Sequence, residues 1–226
     1  MKEFLYSSCV PGVWVIAVLE IVLAVLMFIN FRRTRSECML LSALLTAGLF
    51  IDAFLIGMGA FVEASALGGL SRIRFIAHGL LVPLLFAICA YALELKKPWK
   101  QIVLAITAIL MVLGLVEACA TVLAPVEIAG ISRMASVKGQ TPAWAEGISM
   151  LLSFGTVIPL MIAGIVCWVR QKTPYLFLSG FFMFLFSALG PATGNTALIF
   201  YISMYGEILM VLFLFLYSRK RSEEKQ

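Results

Sequence analysis

Arg72-Ile73-Arg74-Phe75-Ile76-Ala77-His78-Gly79-Leu80-Leu81-Val82-Pro83 carries two arginines and the only histidine of the chain straight into an apolar run. Arg74 and His78 are four residues apart and share a face if the stretch is helical. A charge inside a bilayer costs at least roughly 2.5 kcal/mol even on lenient insertion scales, so such groups normally face a protein interior or a cavity. This stretch is therefore the start of a membrane-spanning helix whose polar groups look inward, and it is the anchor for function.

The rest of the chain fits that reading. Of 226 residues, 62% are hydrophobic and 13% charged, against about 45–50% and 25% in soluble domains. Apolar runs are expected to span at 13–29, 39–61, 74–95, 101–124, 148–169, 175–189 and 197–217, each near or beyond the ~17 residues a crossing helix needs. The fold class is an all-α membrane protein, a seven-transmembrane-helix bundle forming one domain over residues 1–226. Glu20 interrupts the first run and no small-residue cleavage site follows, so it reads as a retained span and not a signal peptide. Short connections make consecutive helices antiparallel neighbours. Pro83 and Pro159 should kink the third and fifth spans, and Gly190-Pro191 should stop the sixth.

Basic residues set the expected orientation. Arg32, Arg33, Arg35, Lys96, Lys97, Lys100, Arg170, Lys172 and the tail cations Arg219, Lys220, Arg221 and Lys225 fall on one side. They outnumber Lys2, Arg72, Arg74, Arg133 and Lys138 on the other. The N-terminus is thus expected outside and the C-terminus in the cytoplasm, in the plasma membrane. Trp99 and Trp168 at the inner boundary and Trp14 and Trp144 at the outer one would form aromatic belts. The outer segment 125–147 reads as a loop, or as a short interfacial helix carrying Val126, Ile128, Ile131 and Met134. The net charge of +5 comes from these short clusters, and no nucleic-acid motif accompanies them.

The five cysteines show neither a Cys-x-x-Cys pair nor metal spacing. Cys89 and Cys167 read as packing residues, and a Cys9–Cys119 disulfide is left open. One histidine is too few for a zinc hydrolase, so no metal is expected. Small residues, Gly57, Gly59 and Ala60 in the second span and Ser179, Gly180, Ser187 and Gly190 in the sixth, should let backbones approach.

Glu20, Asp52, Glu117 and Glu207 lie inside spans, in the middle or outer half by this orientation, as do Arg74 and His78. Converging, they would make a polar pocket opening outward. Four carboxyls face one arginine and one histidine, which suits a proton relay, a cation site or a hydrogen-bonding pocket for a polar head group. The structural alternative is that they join helices by hydrogen bonds.

The order of features resembles the microbial rhodopsin superfamily: seven helices, N-terminus outside, short loops, and a third helix opening with arginine and an aromatic. Arg74-Phe75, with Pro83-Leu84 nine residues on, is similar to that family's third-helix motif. The resemblance implies a rhodopsin-like bundle but not its chemistry. The family's acidic counterion falls on Ala77 and its chromophore-facing tryptophan on His78. Its seventh-helix Asp-x-x-x-Lys falls on Ser203 and Glu207, so no lysine is placed to form the retinal Schiff base. No covalent retinal or other cofactor is expected, while a non-covalent isoprenoid or lipid remains open. Membrane lycopene cyclases, similar to such a bundle, show by analogy that it can serve other chemistry, although their acidic signature is not seen in this chain.

Three functions follow for the set Glu20, Asp52, Arg74, His78, Glu117, Ser203 and Glu207. The first is a non-enzymatic sensor-type protein binding a small hydrophobic or cationic ligand or a membrane lipid, with homo-oligomers open. The second is a proton-coupled transporter. The third is an intramembrane enzyme acting on a lipid or isoprenoid, with His78 as general base oriented by a nearby acid.

Overall fold

The computed structural model describes residues 2–63, 65–137, 139–192 and 198–224, with no side-chain description for Lys2. Lys138, Lys225 and the expected start of the last span at residue 197 lie outside the described residues. Among the described residues the helices are α1 (Lys2–Thr34), α2 (Glu37–Met58), α3 (Gly68–Leu81), α4 (Leu84–Ala92), α5 (Lys97–Ala120), α6 (Ala143–Gln171), α7 (Tyr175–Ala192) and α8 (Ile199–Glu223). A break at Val82-Pro83 divides α3 from α4, which together form one span, Gly68–Ala92. Seven helical segments among the described residues are thus long and apolar enough to cross a membrane, the pattern of a multi-pass membrane protein.

Proline acts unevenly on these helices. The ring at residue 83 removes a donor and crowds the preceding turn, and the helix is interrupted there. At Pro159 and Pro191 the helices α6 and α7 run on. The expected kink in the fifth span is therefore not a break, and α7 ends two residues past Gly190. The third span also begins earlier than its hydropathy suggests: α3 starts at Gly68, which places Arg74 in its second turn.

Each span packs on its sequence neighbour, and α8 returns to α1 to close the ring. The Tyr201 hydroxyl donates to the Ser8 carbonyl across that closure, at 3.0 Å. α2 lies centrally, touching α1, α3, α4 and α8. Close approach is achieved at Gly79 and Gly114, where a Cβ on either would collide with the other's carbonyl, so α3 and α5 meet backbone to backbone. Of the expected small-residue contacts, Gly57 lies against the Trp14 ring and Gly180 against Met161. Cys89 and Cys167 pack in the core, as expected, while Cys9 is buried and Cys119 exposed, both as free thiols. Trp14 is half-buried and packs edge-on against Phe54 of α2.

The segment after α5 is neither the expected loop nor an interfacial helix. Strands β1 (Leu123–Ile128) and β2 (Ile131–Ser136) form an antiparallel hairpin, with Ile128 opposite Ile131. Ala129 and Gly130 both have positive φ, 53° and 76°, the two-residue turn whose twist matches paired strands. The hairpin covers one end of the bundle. Ile131 is buried in one apolar cluster with Cys9 and Val13 of α1 and Phe200 of α8, and the Ser132 amide donates to the Gly59 carbonyl at 2.8 Å.

The core is divided into two parts. One apolar cluster, near the hairpin, contains Val13, Ala17, Ala53, Ile56, Tyr201 and Met204. The other, toward the opposite end, contains Met27, Leu45, Leu49, Met210, Val211 and Leu214. On three helices an acid falls between the two: Glu20 on α1, Asp52 on α2 and Glu207 on α8.

Candidate functional site

Asp52 and Arg74 are held face to face by α2 and α3. Arg74 Nε lies 3.1 Å from Asp52 Oδ1, with the side chains 16% and 8% exposed respectively. The same guanidinium donates to the Met134 carbonyl of β2 at 3.2 Å and lies 4.6 Å from the Phe75 ring centre. A buried pair of this kind persists only when further hydrogen bonds satisfy the groups taken out of water, and the hairpin supplies one.

The other cations at this end have separate partners. Arg72 donates to the carbonyls of Ala118 and Thr121 at 2.6 and 2.7 Å. These are end carbonyls of α5, which lack partners within the helix. Arg133, on β2, lies 4.0 Å over the Phe200 ring, and its Nε is buried without a hydrogen-bond partner among the described residues. Burial, and then the charge of Arg74, pull its pKa down to about 10, opposed by Asp52 and Cys9. It stays protonated at neutral pH. Sequence reasoning counted Arg133 only as a topology charge, and no spacing signal marked it as part of this cluster.

The acids differ in their surroundings. Glu117 on α5 accepts the Thr121 hydroxyl at 3.0 Å. Glu207 is 6% exposed. Glu20 is wholly buried with both oxygens unpartnered among the described residues, within electrostatic reach of Glu207 and Asp52.

Two cavities are built from these helices. The first, about 240 Å³, is lined by Asp52, Arg74, His78, Glu117 and the serines Ser149 and Ser153 of α6. The second, about 390 Å³, is lined chiefly by apolar side chains of α2, α4, α6, α7 and α8, with Ser203 and Glu207 among them. His78, Val82 and Ser153 line both, so the two adjoin. His78, in the last turn of α3 and so mid-way along the Gly68–Ala92 span, and Ser153 and Phe154, well inside α6, are all exposed. The cavities therefore open between those helices, and the polar one also reaches exposed Ser136 of β2 and Ser149 of α6 beside the hairpin.

Five of the six expected ionisable residues thus gather around the adjoining cavities, with Ser203 beside Glu207. Glu20 lines neither and belongs to the polar layer behind them. His78 makes no hydrogen bond to an acid among the described residues, so the orienting partner expected of a general base is not in place. No protein-family model matches the chain, and no curated protein matches it.

Proposed function

We propose that this is a rhodopsin-like seven-helix protein of the plasma membrane that binds a membrane-borne amphiphile, a lipid or isoprenoid, non-covalently. The adjoining of a polar cavity and an apolar one at His78 carries this reading. A chain would lie along the apolar walls beside Val82 and Leu85, with the head group at one of two polar ends, Asp52, Arg74, His78 and Glu117 or Ser203 and Glu207. The volumes, about 240 and 390 Å³, suit a small ligand, for which pockets run ~300–1,000 Å³. An opening between helices suits a ligand that arrives through the bilayer. Ser203 and Glu207, where the rhodopsin motif would have aspartate and lysine, support a site without covalent retinal. The distribution of Lys and Arg supports the hairpin end as the outer face.

Native mass spectrometry with lipid extraction, run beside a visible absorption spectrum, tests the reading. The expected result is a co-purifying lipid or isoprenoid that is lost in Arg74→Ala and Glu207→Gln. Protein that is ligand-free from a native membrane, and takes up no added lipid, would sink it.

A second reading, a proton-coupled carrier, is favoured by one observation: Glu20, Asp52 and Glu207 form an acid layer across three helices. It predicts proton flux in liposomes that Glu20→Gln abolishes.

A further inference from the structure

We propose that the adjoining cavities take a lipophilic cation, an amphiphile with a protonated amine head, and that Glu207 is the carboxylate that meets it. This rests on the amphiphile reading and adds the charge of the ligand.

The argument is an accounting of charged groups. Each arginine at the hairpin end is already engaged: Arg72 with the end of α5, Arg74 with Asp52 and Met134, Arg133 with the Phe200 ring. Arg72 and Arg133 line neither cavity. The acids are not matched in the same way. Asp52 has Arg74, but Glu117 has only a hydroxyl, and Glu207 has no hydrogen bond or ion pair among the described residues. Glu207 is more than nine-tenths buried, yet it lines the larger cavity. What the two cavities present to a ligand is thus an excess of carboxyl groups in largely apolar walls. A buried carboxylate is tolerated when an opposite charge meets it.

The walls narrow the choice of cation. Phe154 and Phe184 line the same chamber, and aromatic faces attract an ammonium. A hard metal ion wants six or more oxygens, whereas no three His, Cys, Asp or Glu side chains gather in metal-binding range among the described residues. An anionic amphiphile would meet Glu207 and Glu117 with no free guanidinium in compensation.

The test uses the full-length protein in nanodiscs of zwitterionic phosphatidylcholine, with radiolabelled dodecylamine, dodecanol and laurate as probes of equal chain length. The expected result is dodecylamine binding about tenfold or more tighter than dodecanol, with laurate weakest. Glu207→Gln should remove the preference for the amine and leave dodecanol unchanged, while Glu117→Gln should keep it. Equal binding of amine and alcohol by the unaltered protein overturns the charge inference and leaves the amphiphile reading standing, whatever the variants do. Loss of the preference in Glu117→Gln alone overturns the assignment to Glu207, and tighter laurate overturns the sign. Binding of none of the three overturns both readings.

Discussion

Removing the Arg74 guanidinium, as in Arg74→Met, should be among the most damaging single changes to this fold. The pair with Asp52 is largely buried, with side chains 8% and 16% exposed, and the variant strands both the carboxylate and the Met134 carbonyl. Breaking a buried pair from one side costs about 3–5 kcal/mol, against about 0–1 kcal/mol for a surface bridge. For a chain of this length that corresponds to a fall in melting temperature on the order of 10 °C. Asp52→Asn should cost a similar amount. The double variant removes both charges, so its loss should be less than the sum of the two by about 2 kcal/mol or more. Thermal unfolding of the four proteins in one detergent gives the cycle. Single losses under about 1 kcal/mol, or strict additivity, would refute the reasoning and place the pair among solvated bridges.

Other outcomes follow from local geometry. Glu20→Met, which replaces a buried carboxyl with two unpartnered oxygens, should stabilise by roughly 1–3 kcal/mol, read by the same melts; destabilisation would mean that Glu20 has a partner. Gly114→Ala, driven against the Gly79 carbonyl, should cost about 1–3 kcal/mol, and a neutral result would show that α3 and α5 do not meet there. Ala129→Gly should stabilise the hairpin turn by about 1 kcal/mol, since residue 129 has a φ of 53°. In intact cells a membrane-impermeant maleimide should modify exposed Cys119 near the hairpin and spare Cys38; the reverse pattern would invert the proposed orientation.

Hydropathy alone revealed the number of helical spans, because a bilayer-length apolar run is a strong signal. The gathering of Asp52, Arg74, His78 and Glu117 was legible from depth within the spans. Their partners were not. Arg133 joins the cluster only because β2 folds back over the bundle end, and residues 126–134 could be read at helical spacing as easily as in alternation. The turn signal was present at Ala129-Gly130, but one glycine among many carries little weight. Glu20 is mid-span like Glu207, yet it faces a seam and not a cavity, a difference set by helix rotation. Gly79 and Gly114 also escaped notice, since only the crossing of α3 and α5 makes them a pair.

The hairpin bears on the order in which the chain assembles. It is encoded between the fourth and fifth spans, but its buried groups belong with both the first and the last: Ile131 shares a cluster with Cys9 and Val13, and Arg133 lies over Phe200. At a ribosomal rate of ~5–20 residues per second, α8 emerges several seconds after β2 is complete. During that interval Arg133 has no aromatic face to lie on, and the first helix has no eighth to close against. The early spans must therefore wait in the bilayer as an open arc, and docking of the hairpin is a late event that registers the arrival of the final helix.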